Sequence, residues 1–230
     1  MIISANQPYF APFLGFFHKA LMSDVFVLLD DVQFPRGTTW ITRNRFKGDQ
    51  GTLWMTIPVW KKGLGLQKIS DVRICHEGRW AKKHMESLKK SYSNAPYFPD
   101  HLDFFQELFS AGIDKIFDLN LEIIKYLFTA LGIDTRIILL SELEIEARGN
   151  QLLVELCRKL NAARYLAQHT AGKYLDADLF QEAEIRIEFF KPPSPIYPQL
   201  WGDFIPNLST FDLLFNCGPK SRDILMKYPG

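Results

Sequence analysis

The sequence predicts an α/β domain of Rossmann type: a mostly parallel sheet with an N-terminal βαβ unit, a β-hairpin insertion and additional helices. Two short, continuous apolar runs, at 2–5 and 25–29, read as strands buried on both faces. The stretch between them has apolar residues at helical spacing, and strand-like and helix-like patterns alternate again in the second half of the chain. With 230 residues, 47% of them hydrophobic, the chain can bury one sizeable core, so we expect one domain over 1–230.

The first predicted unit is the βαβ unit. Its first strand, 2–5, stops at Asn-Gln-Pro, and helical spacing then covers 13–22. The second strand, 25–29, follows directly and leads into Asp30 and Asp31. Ligands of open α/β sheets bind beyond the carboxyl ends of the strands, so the turn 7–15 and these two carboxylates are predicted to lie at the binding edge.

The remaining elements follow from the same patterns. Residues 38–45 and 52–59 are strand-like and flank a polar turn, which predicts a hairpin. Further strands are predicted at 69–74, 135–140, 164–167 and 184–190, and further helices at 80–92, about 100–110, 116–131, about 148–160 and 211–215.

Charge and composition exclude several classes of protein. Lys and Arg number 27 against 26 acidic residues, so no net field attracts nucleic acid or an anionic membrane. No apolar run approaches the roughly 20 residues of a spanning helix, and the start lacks the basic region of a signal peptide, so we expect a cytoplasmic protein. The cysteines Cys75, Cys157 and Cys217 are odd in number and far apart, which argues against a disulfide framework or a zinc site. We predict no metal site, and the cofactor and oligomeric state stay open.

The turn after the first strand is the strongest candidate site. The side-chain amides of Asn6 and Gln7 can donate to and accept from a polar ligand. Pro8 and Pro12 stiffen the loop, and Gly15 lets a backbone come close. Ordinary turn chemistry is the alternative interpretation.

A second polar group follows the second strand. A carboxylate there could act as a general base or hold a divalent cation, and guanidinium groups could bind phosphate bidentately. Asp30 is therefore a catalytic candidate, and the alternative is a structural ion-pair cluster at the end of the sheet. The substrate-binding candidates in this stretch are Gln33, Trp40, Arg43, Asn44 and Arg45.

A third group shares one face of a predicted helix. Trp80, Lys83 and His84 stand at i, i+3 and i+4. Histidine titrates near neutral pH, which makes His84 the second catalytic candidate, and Lys83 could bind an anionic substrate. A structural histidine is the alternative.

Two later segments carry further substrate-binding candidates. Lys173 and Tyr174 follow a glycine at an element boundary, where a cation and a phenol suit a phosphate or carboxylate. Tyr197 and Gln199 lie in a proline-rich segment that could close over a pocket. An ordered C-terminal wrap is the equal alternative for the second segment.

Taken together, these blocks resemble the WbqC-like family of bacterial proteins. The match runs in order over nearly the whole chain. It rests on Gln7-Pro8, Pro12, Gly15-Phe16-Phe17, Lys19, Asp24-Val25-Phe26-Val27, Asp30, Val32-Gln33-Phe34, Trp40, Arg43-Asn44-Arg45, Pro58-Val59, Trp80, Lys83-His84, Ala95-Pro96-Tyr97-Phe98, Gly172 to Asp176, Tyr197-Pro198-Gln199, Leu208-Ser209 and Asp212 to Asn216. The resemblance implies an accessory enzyme of surface-polysaccharide (O-antigen) biosynthesis, and acyl or aminoacyl transfer to an amino sugar is the reaction we expect.

Three functional hypotheses remain at this stage. The leading one is a transferase acting on a nucleotide-linked or phosphorylated sugar, with Asp30 or His84 as base and Arg43 and Arg45 gripping phosphate. The second is a non-catalytic binding or scaffold protein of a glycan-assembly pathway. The third is a divergent nucleotidyltransferase, since the segment 7–30 has that broad layout but lacks the two-histidine turn that holds the triphosphate.

Overall fold

The computed structural model describes residues 1–192 and 194–227. The strands are, in chain order, β1 (Ile2–Asn6), β2 (Val25–Leu28), β3 (Arg43–Gly48), β4 (Gly51–Thr56), β5 (Arg136–Leu139), β6 (Arg164–Gln168) and β7 (Arg186–Phe190). The α-helices are α1 (Leu14–Leu21), α2 (Trp80–Tyr92), α3 (Leu102–Ser110), α4 (Ile116–Ala130), α5 (Gly149–Lys159), α6 (Ala177–Glu182), α7 (Thr210–Cys217) and α8 (Lys220–Met226). None of these helices has the length and apolarity needed to cross a bilayer.

The centre of the fold is a five-stranded sheet in the order β5-β2-β1-β6-β7. All four neighbouring pairs are parallel. The chain adds β2 and β5 on one side of β1, then returns to add β6 and β7 on the other side. The predicted α/β class and the N-terminal βαβ unit are confirmed, and the strand order reverses between β1 and β6.

Helices cover both faces of this sheet. In β2, Phe26 and Leu28 point into a hydrophobic cluster shared with α1, α3, α4 and α7. Val25 and Val27 point into the opposite cluster, which α5 and α6 complete. Because β2 is buried on both faces, its sequence is a continuous apolar run rather than an alternating one. Each such fully buried side chain contributes roughly 1.5–3 kcal/mol through removal of apolar surface from water.

The predicted hairpin is present and forms a separate two-stranded sheet, β3-β4, inserted between β2 and β5. Its antiparallel register places Arg45 opposite Trp54. The hairpin begins at Arg43 rather than Thr38, because a local turn occupies the preceding residues. In that turn the backbone N–H of Ile41 donates to the Thr39 hydroxyl at 3.2 Å, and the N–H of Thr42 donates to the Thr39 carbonyl at 3.3 Å.

One predicted strand is wrong. Residues 69–74 begin with a short 3-10 helix, Ile69–Asp71, and only an isolated bridge joins Ile74 to Val59. The N–H of Ile69 donates to the carbonyl of Val32 at 3.0 Å, so this stretch packs against the chain that follows β2 instead of joining a sheet. The helices α6 and α8 were not predicted, since six or seven residues are too few to show a helical period.

Candidate functional site

A cavity of about 300 Å³ opens at the carboxyl edge of the parallel sheet. Asn6 and Gln168, the last residues of β1 and β6, both line it. This is where the strand order reverses, and doubly wound sheets bind their ligands at that point. The volume is at the lower end of the range for small-molecule sites. The lining residues are Asn6, Tyr9, Phe13, Trp40, Asn44, Arg45, Gln168 and Asn207.

Two larger hollows, of about 510 and 570 Å³, lie beside the outermost strand β7. Both are lined by Phe189 and Gly172, and the second also includes Lys173. They lie along the edge of the sheet, and neither is lined by Asn6 or Gln168, the last residues of β1 and β6. The smaller cavity is therefore the better candidate site, because its position follows from the strand topology and its lining is richer in amides.

The cavity forms because the pairing of β1 with β6 ends early along the two strands. The ladder between them ends at Ile3 and Tyr165, whereas β1 stays paired with β2 as far as Asn6 and Leu28. The carboxyl ends of β1 and β6 are thus free of mutual hydrogen bonds, which leaves room for side chains between them.

Lys19, on helix α1, fills the gap in the ladder. The Asn6 carbonyl accepts from the N–H of Leu29 and so faces β2. Neighbouring carbonyls along a strand face opposite ways, which directs the Ala5 carbonyl towards β6. The Lys19 ammonium donates to this carbonyl at 2.6 Å and to Asn6 Oδ1 at 3.3 Å. A side chain of the helix therefore replaces the missing strand hydrogen bond.

The Lys19 ammonium is buried without a charged partner. The side chain is only 5% exposed, and the ion pairs formed among residues 1–192 and 194–227 do not include it. Burial lowers its pKa to about 8, because desolvation disfavours the charged form. This lysine is poised between its two protonation states at mildly alkaline pH.

Two buried amides hold the turn that follows β1. Asn120 of α4 donates to the carbonyls of Pro8 and Ile41, both at 2.8 Å. Asn44 of β3 donates to the carbonyls of Phe10 and Ala11, at 3.0 and 2.7 Å. Carbonyls in a buried loop need partners, and these side chains supply them. The hairpin and α4 therefore shape one wall of the cavity.

Gly15 has a packing role in this turn. A Cβ at this position would lie 2.4 Å from the Phe13 ring and 2.6 Å from Pro192 Cβ. The absence of a side chain makes room for these two residues, and Phe13 in turn lines the cavity. Gly15 itself is buried and does not line the cavity, so its contact with the site is indirect.

Arg45 brings a guanidinium group to the cavity wall. Its Nη2 donates to the Asn207 carbonyl at 2.9 Å, which ties the C-terminal segment to β3. Its Nε is buried and has no hydrogen-bond partner within the described part of the chain. A buried donor without an acceptor costs roughly 1–3 kcal/mol of stability.

An aromatic and cationic surface continues from the cavity along the outer face of the hairpin. The rings of Trp40 and Trp54 stack at 5.8 Å between centroids. The Arg43 guanidinium lies 3.5 Å from the Trp54 ring centroid, and that of Arg45 lies 6.0 Å from the Trp40 centroid. Both tryptophans stay exposed, at 42% and 44%. Such a surface suits the flat face of a sugar or base ring.

The structure brings four of the predicted site residues together in the cavity: Asn6, Trp40, Asn44 and Arg45. Arg43 lies against Trp54, which stacks on the cavity residue Trp40, and the Gln7 carbonyl accepts from the Asn6 amide at 3.0 Å. The remaining predicted residues do not line the cavity.

Asp30, a predicted catalytic residue, is 2% exposed and fully hydrogen-bonded. Its Oδ1 accepts from the backbone N–H of Ser141 at 3.0 Å, and its Oδ2 accepts from the Ser141 hydroxyl at 2.6 Å. These bonds tie the chain after β2 to the turn after β5. The contacts are those of a structural carboxylate.

His84, the other predicted catalytic residue, packs in an aromatic cluster with Trp80 and Phe109, at centroid distances of 5.5 and 6.0 Å. Burial lowers its pKa to about 4, so the ring is neutral at physiological pH. Lys83, one residue earlier on α2, is exposed. This face of α2 packs on α3 through rings and makes no contact with the cavity lining.

Tyr197 and Gln199 belong to a buried network that fastens the C-terminal segment. The hydroxyls of Tyr92 and Tyr197 donate to the two oxygens of Asp212, at 2.8 and 2.9 Å. Lys47 donates to Gln199 Oε1 at 3.1 Å. Burial raises the pKa of the Asp212 carboxyl despite these bonds. The network holds the segment that carries Asn207 over the cavity.

The other predicted binding residues lie on the surface. Gln33 is exposed, and its backbone forms an isolated antiparallel β-bridge with Lys68. Tyr174 is exposed, and the Lys173 ammonium lies 4.9 Å from its ring centroid. Both side chains are on the β7 side of the fold. Within the described residues, no cluster of three or more His, Cys, Asp or Glu side chains could hold a metal ion.

Sequence reasoning missed several residues that shape the site, among them Tyr9, Lys19, Gln168 and Asn207. A signal existed for Lys19: it is a charged residue inside Leu14–Leu21, a helix whose other residues are mostly apolar and buried. Gln168 ends a strand and could have been found from its position, as Asn6 was. Nothing in the local sequence of Asn207 indicated its approach to β1.

A comparison with protein-family models gives a match to the WbqC-like protein family over residues 7–224. The chain belongs to the WbqC-like family. Among curated proteins, the uncharacterized protein Rv1507c of Mycobacterium tuberculosis strain H37Rv is 33% identical over 226 residues, which cover 97% of this chain and 96% of that protein. No solved structure matches the chain. The family match includes the turn after β1, the hairpin and the C-terminal segment, and therefore every cavity-lining residue except Asn6.

Proposed function

We propose that this WbqC-like chain is a transferase that acts on a nucleotide-linked or phosphorylated amino sugar in surface-polysaccharide biosynthesis. The sugar phosphate binds in the cavity between β1 and β6. Acyl or aminoacyl transfer is the reaction that we propose, and the family's name supports the choice of pathway.

The observation that carries the proposal is the chemistry of the cavity wall. Amide groups of Asn6 and Gln168 stand beside the Tyr9 phenol and the Trp40 indole. Amides can satisfy the paired donor and acceptor character of sugar hydroxyls, and an aromatic ring covers the apolar face of the sugar. The Arg45 side chain on the cavity wall supplies a positive charge for phosphate.

The proposal gives Asp30 and His84 no place in the reaction. Both oxygens of Asp30 are engaged by Ser141, and His84 lies among aromatic rings. The residues that bind substrate are those of the cavity wall, together with Arg43 on the outer face of the hairpin. The acyl donor would supply the activated carbonyl group.

The binding step is tested by thermal unfolding of the purified protein with UDP-N-acetylglucosamine, dTDP-glucose, GDP-mannose and N-acetylglucosamine 1-phosphate. A ligand present at ten times its Kd stabilises the folded state by about 1.4 kcal/mol, which raises the Tm by a few degrees. We expect at least one compound of the panel to do so. We expect Arg45→Met to remove the shift.

Arg73→Met is the matched control, because Arg73 is exposed and paired with Asp114 away from the cavity. It should keep the full ligand-induced shift. If no compound of the panel changes the Tm, or if Arg73→Met loses the shift as fully as Arg45→Met does, the proposed site is wrong.

The second candidate function is a non-catalytic binding protein of the same pathway. It is favoured by the absence of a carboxylate or histidine from the cavity lining. Mass spectrometry of a nucleotide-linked sugar with a free amino group, such as UDP-glucosamine, separates the two candidates after incubation with acetyl-CoA or with amino acids and ATP. A transferase adds the mass of the acyl group to the sugar, whereas a binding protein leaves the mass unchanged.

A further inference from the structure

The strand β7 lies at one end of the parallel sheet and has β6 as its neighbour. The N–H of Arg186 donates to the Ala163 carbonyl at 2.9 Å, so the backbone of Arg186 faces β6. Backbone groups of successive strand residues face opposite ways, which turns those of Ile187 and Phe189 outward. Within the described residues, neither of these two has a hydrogen-bond partner on the outer side. β7 therefore presents an open edge to which a further strand can be added.

An apolar hollow of about 510 Å³ runs beside this edge. Its lining includes Phe180 of α6 and, at the edge itself, Ile185, Ile187 and Phe189. The Phe189 side chain is 49% exposed, although phenylalanine is one of the residue types most often buried. An exposed ring beside an apolar hollow marks a surface that a protein partner covers.

The charged side chains of β7 determine which partner fits this edge. Arg186 and Glu188 project from the same face, since they are two residues apart in a strand. The ladder places Arg186 directly opposite Arg164 of β6, and like charges in that position are unfavourable. Arg164 pairs with Glu188 at 3.3 Å, whereas Arg186 forms no ion pair within residues 1–192 and 194–227. A strand that brings a carboxylate opposite Arg186 would supply the missing charge.

A second copy of β7 brings such a carboxylate. Two copies related by a two-fold axis pair antiparallel, and the outward-facing residues then lie opposite one another. When Ile187 lies opposite Ile187, Arg186 of each copy lies opposite Glu188 of the other. When Ile187 lies opposite Phe189, the two Glu188 side chains meet, which is unfavourable. When Phe189 lies opposite Phe189, Arg186 falls beyond the end of the second strand. Charge therefore selects the register centred on Ile187.

We propose that the protein forms a two-fold dimer in which the two β7 strands pair antiparallel about Ile187. The five strands of each copy then form one sheet of ten. Phe189 of each copy lies opposite Ile185 of the other, which lines the apolar hollow. Backbone hydrogen bonds of the added strand supply affinity, and the charged pairs fix the register. The dimer is independent of the proposed function, and its antiparallel strands place the two candidate cavities at opposite edges of the joint sheet.

Analytical ultracentrifugation of the purified protein over a wide range of concentrations measures the assembly. We expect a dimer for the wild type. Arg186→Glu should raise the dissociation constant of the dimer by roughly tenfold or more, because carboxylates then face each other in both symmetry-related pairs. Within one chain this substitution places opposite charges on β6 and β7, so the variant should keep its fold and its Tm. A wild type that stays monomeric would overturn the proposal, and Arg186 and Glu188 would then protect an open edge.

A mixture of two charge variants tests the pairing itself. Glu188→Arg should also weaken self-association, since guanidinium groups then face each other. An equimolar mixture of Arg186→Glu and Glu188→Arg should form a dimer again, because each charge of one variant meets its opposite in the other. If both variants are folded and the mixture stays monomeric, the proposed charge pairing is wrong.

Arg136→Glu is the matched control. Arg136 is an exposed arginine on β5, the strand at the other end of the sheet, and β5 has no acidic residue that could pair with it in a second copy. This variant should dimerise as the wild type does. Dissociation as complete as that of Arg186→Glu would show that the effect is one of net charge and would contradict the proposal.

Ile187→Pro tests the strand pairing without a change of charge. The N–H of Ile187 faces outward, so proline at this position keeps the ladder with β6 and removes a hydrogen bond to the second copy. We expect a folded monomer. A dimer that persists in this variant would exclude pairing through β7.

Disulfide cross-linking determines the register. Directly opposite residues of a hydrogen-bonded antiparallel pair have Cα atoms about 5.5 Å apart, which a disulfide can span. Ile187→Cys should therefore form a covalent dimer on mild oxidation. Phe189→Cys should not, because the two 189 positions are offset by four residues at about 3.4 Å each. The wild type controls for the native cysteines. Cross-linking at 189 and not at 187 would overturn the register.

Discussion

Replacing Lys19 by methionine would remove a buried ammonium group and keep the length of the side chain. The consequence for stability depends on pH, because burial lowers the pKa of Lys19 from 10.5 to about 8. In the unfolded chain the same lysine is in water and titrates near its ordinary value. Between these two pH values the unfolded state binds more protons than the folded state, so stability rises with pH in this window.

The magnitude follows from the two pKa values. The difference between 10.5 and about 8, at about 1.36 kcal/mol per pH unit, is an order-of-magnitude cost of about 3 kcal/mol for keeping the charged lysine buried. This cost is fully present well below pH 8 and is relieved as the pH rises to 10.5. Most of it, about 2–3 kcal/mol, should be regained between pH 7 and pH 10. Loss of the bonds to Ala5 and Asn6 costs the variant roughly 1–3 kcal/mol per unsatisfied acceptor, at every pH.

The assay is urea unfolding of the wild type and Lys19→Met at a series of pH values from 7 to 10. Subtracting the two profiles of unfolding free energy against pH removes the contribution of every group that titrates equally in both proteins. We expect the wild type to gain about 2–3 kcal/mol of stability relative to the variant over this range. Lys89→Met, a substitution of an exposed lysine on α2, should run parallel to the wild type. Parallel profiles for Lys19→Met as well would show that the ammonium is not desolvated and would refute the reasoning.

Three further predictions concern residues that pack elsewhere in the fold. Asp30→Asn should lower the free energy of unfolding by about 1–3 kcal/mol in urea titrations, because an amide can accept only one of the two hydrogen bonds from Ser141; full stability would contradict this role. Gly218→Ala should lower the Tm by several degrees, since Gly218 has φ of +50° and a Cβ would lie 2.4 Å from the Tyr97 ring. His84→Phe should lose less stability than the wild type as the pH falls from 6.5 to about 4. In this range the unfolded wild type binds a proton at His84, whereas the folded wild type, in which His84 is buried, does not. Equal acid unfolding curves for the two proteins would contradict this prediction.

The sequence was sufficient for the fold class because the strands of the sheet are buried. Val25–Leu28 has no polar residue, and such a run fits a strand covered on both faces. The same criterion failed at 69–74, where Ile69, Val72 and Ile74 are also buried. They are buried by packing outside the sheet, and hydrophobicity alone does not distinguish this from a central strand.

The part of the candidate site that could be predicted is the part that position along a strand determines. Asn6 ends β1 and therefore reaches the cavity, as its place in the sequence indicated. The contacts of Asp30 could not be predicted in this way, because its partner Ser141 is 111 positions away in the chain. A carboxylate at a strand end can face a ligand or a neighbouring loop, and only the tertiary contact decides between them.

The cavity depends on three segments that are remote in sequence. Each segment supplies hydrogen-bond partners that another segment lacks. The early end of the β1–β6 ladder leaves the Ala5 carbonyl unpaired, and Lys19 satisfies it. The turn after β1 exposes carbonyls that the hairpin residue Asn44 satisfies. Arg45, next to Asn44, then holds the C-terminal segment through Asn207. Because each bond crosses between segments, the inserted hairpin and the C-terminal segment are structural parts of the candidate site, and we expect the removal of either to open the cavity to solvent.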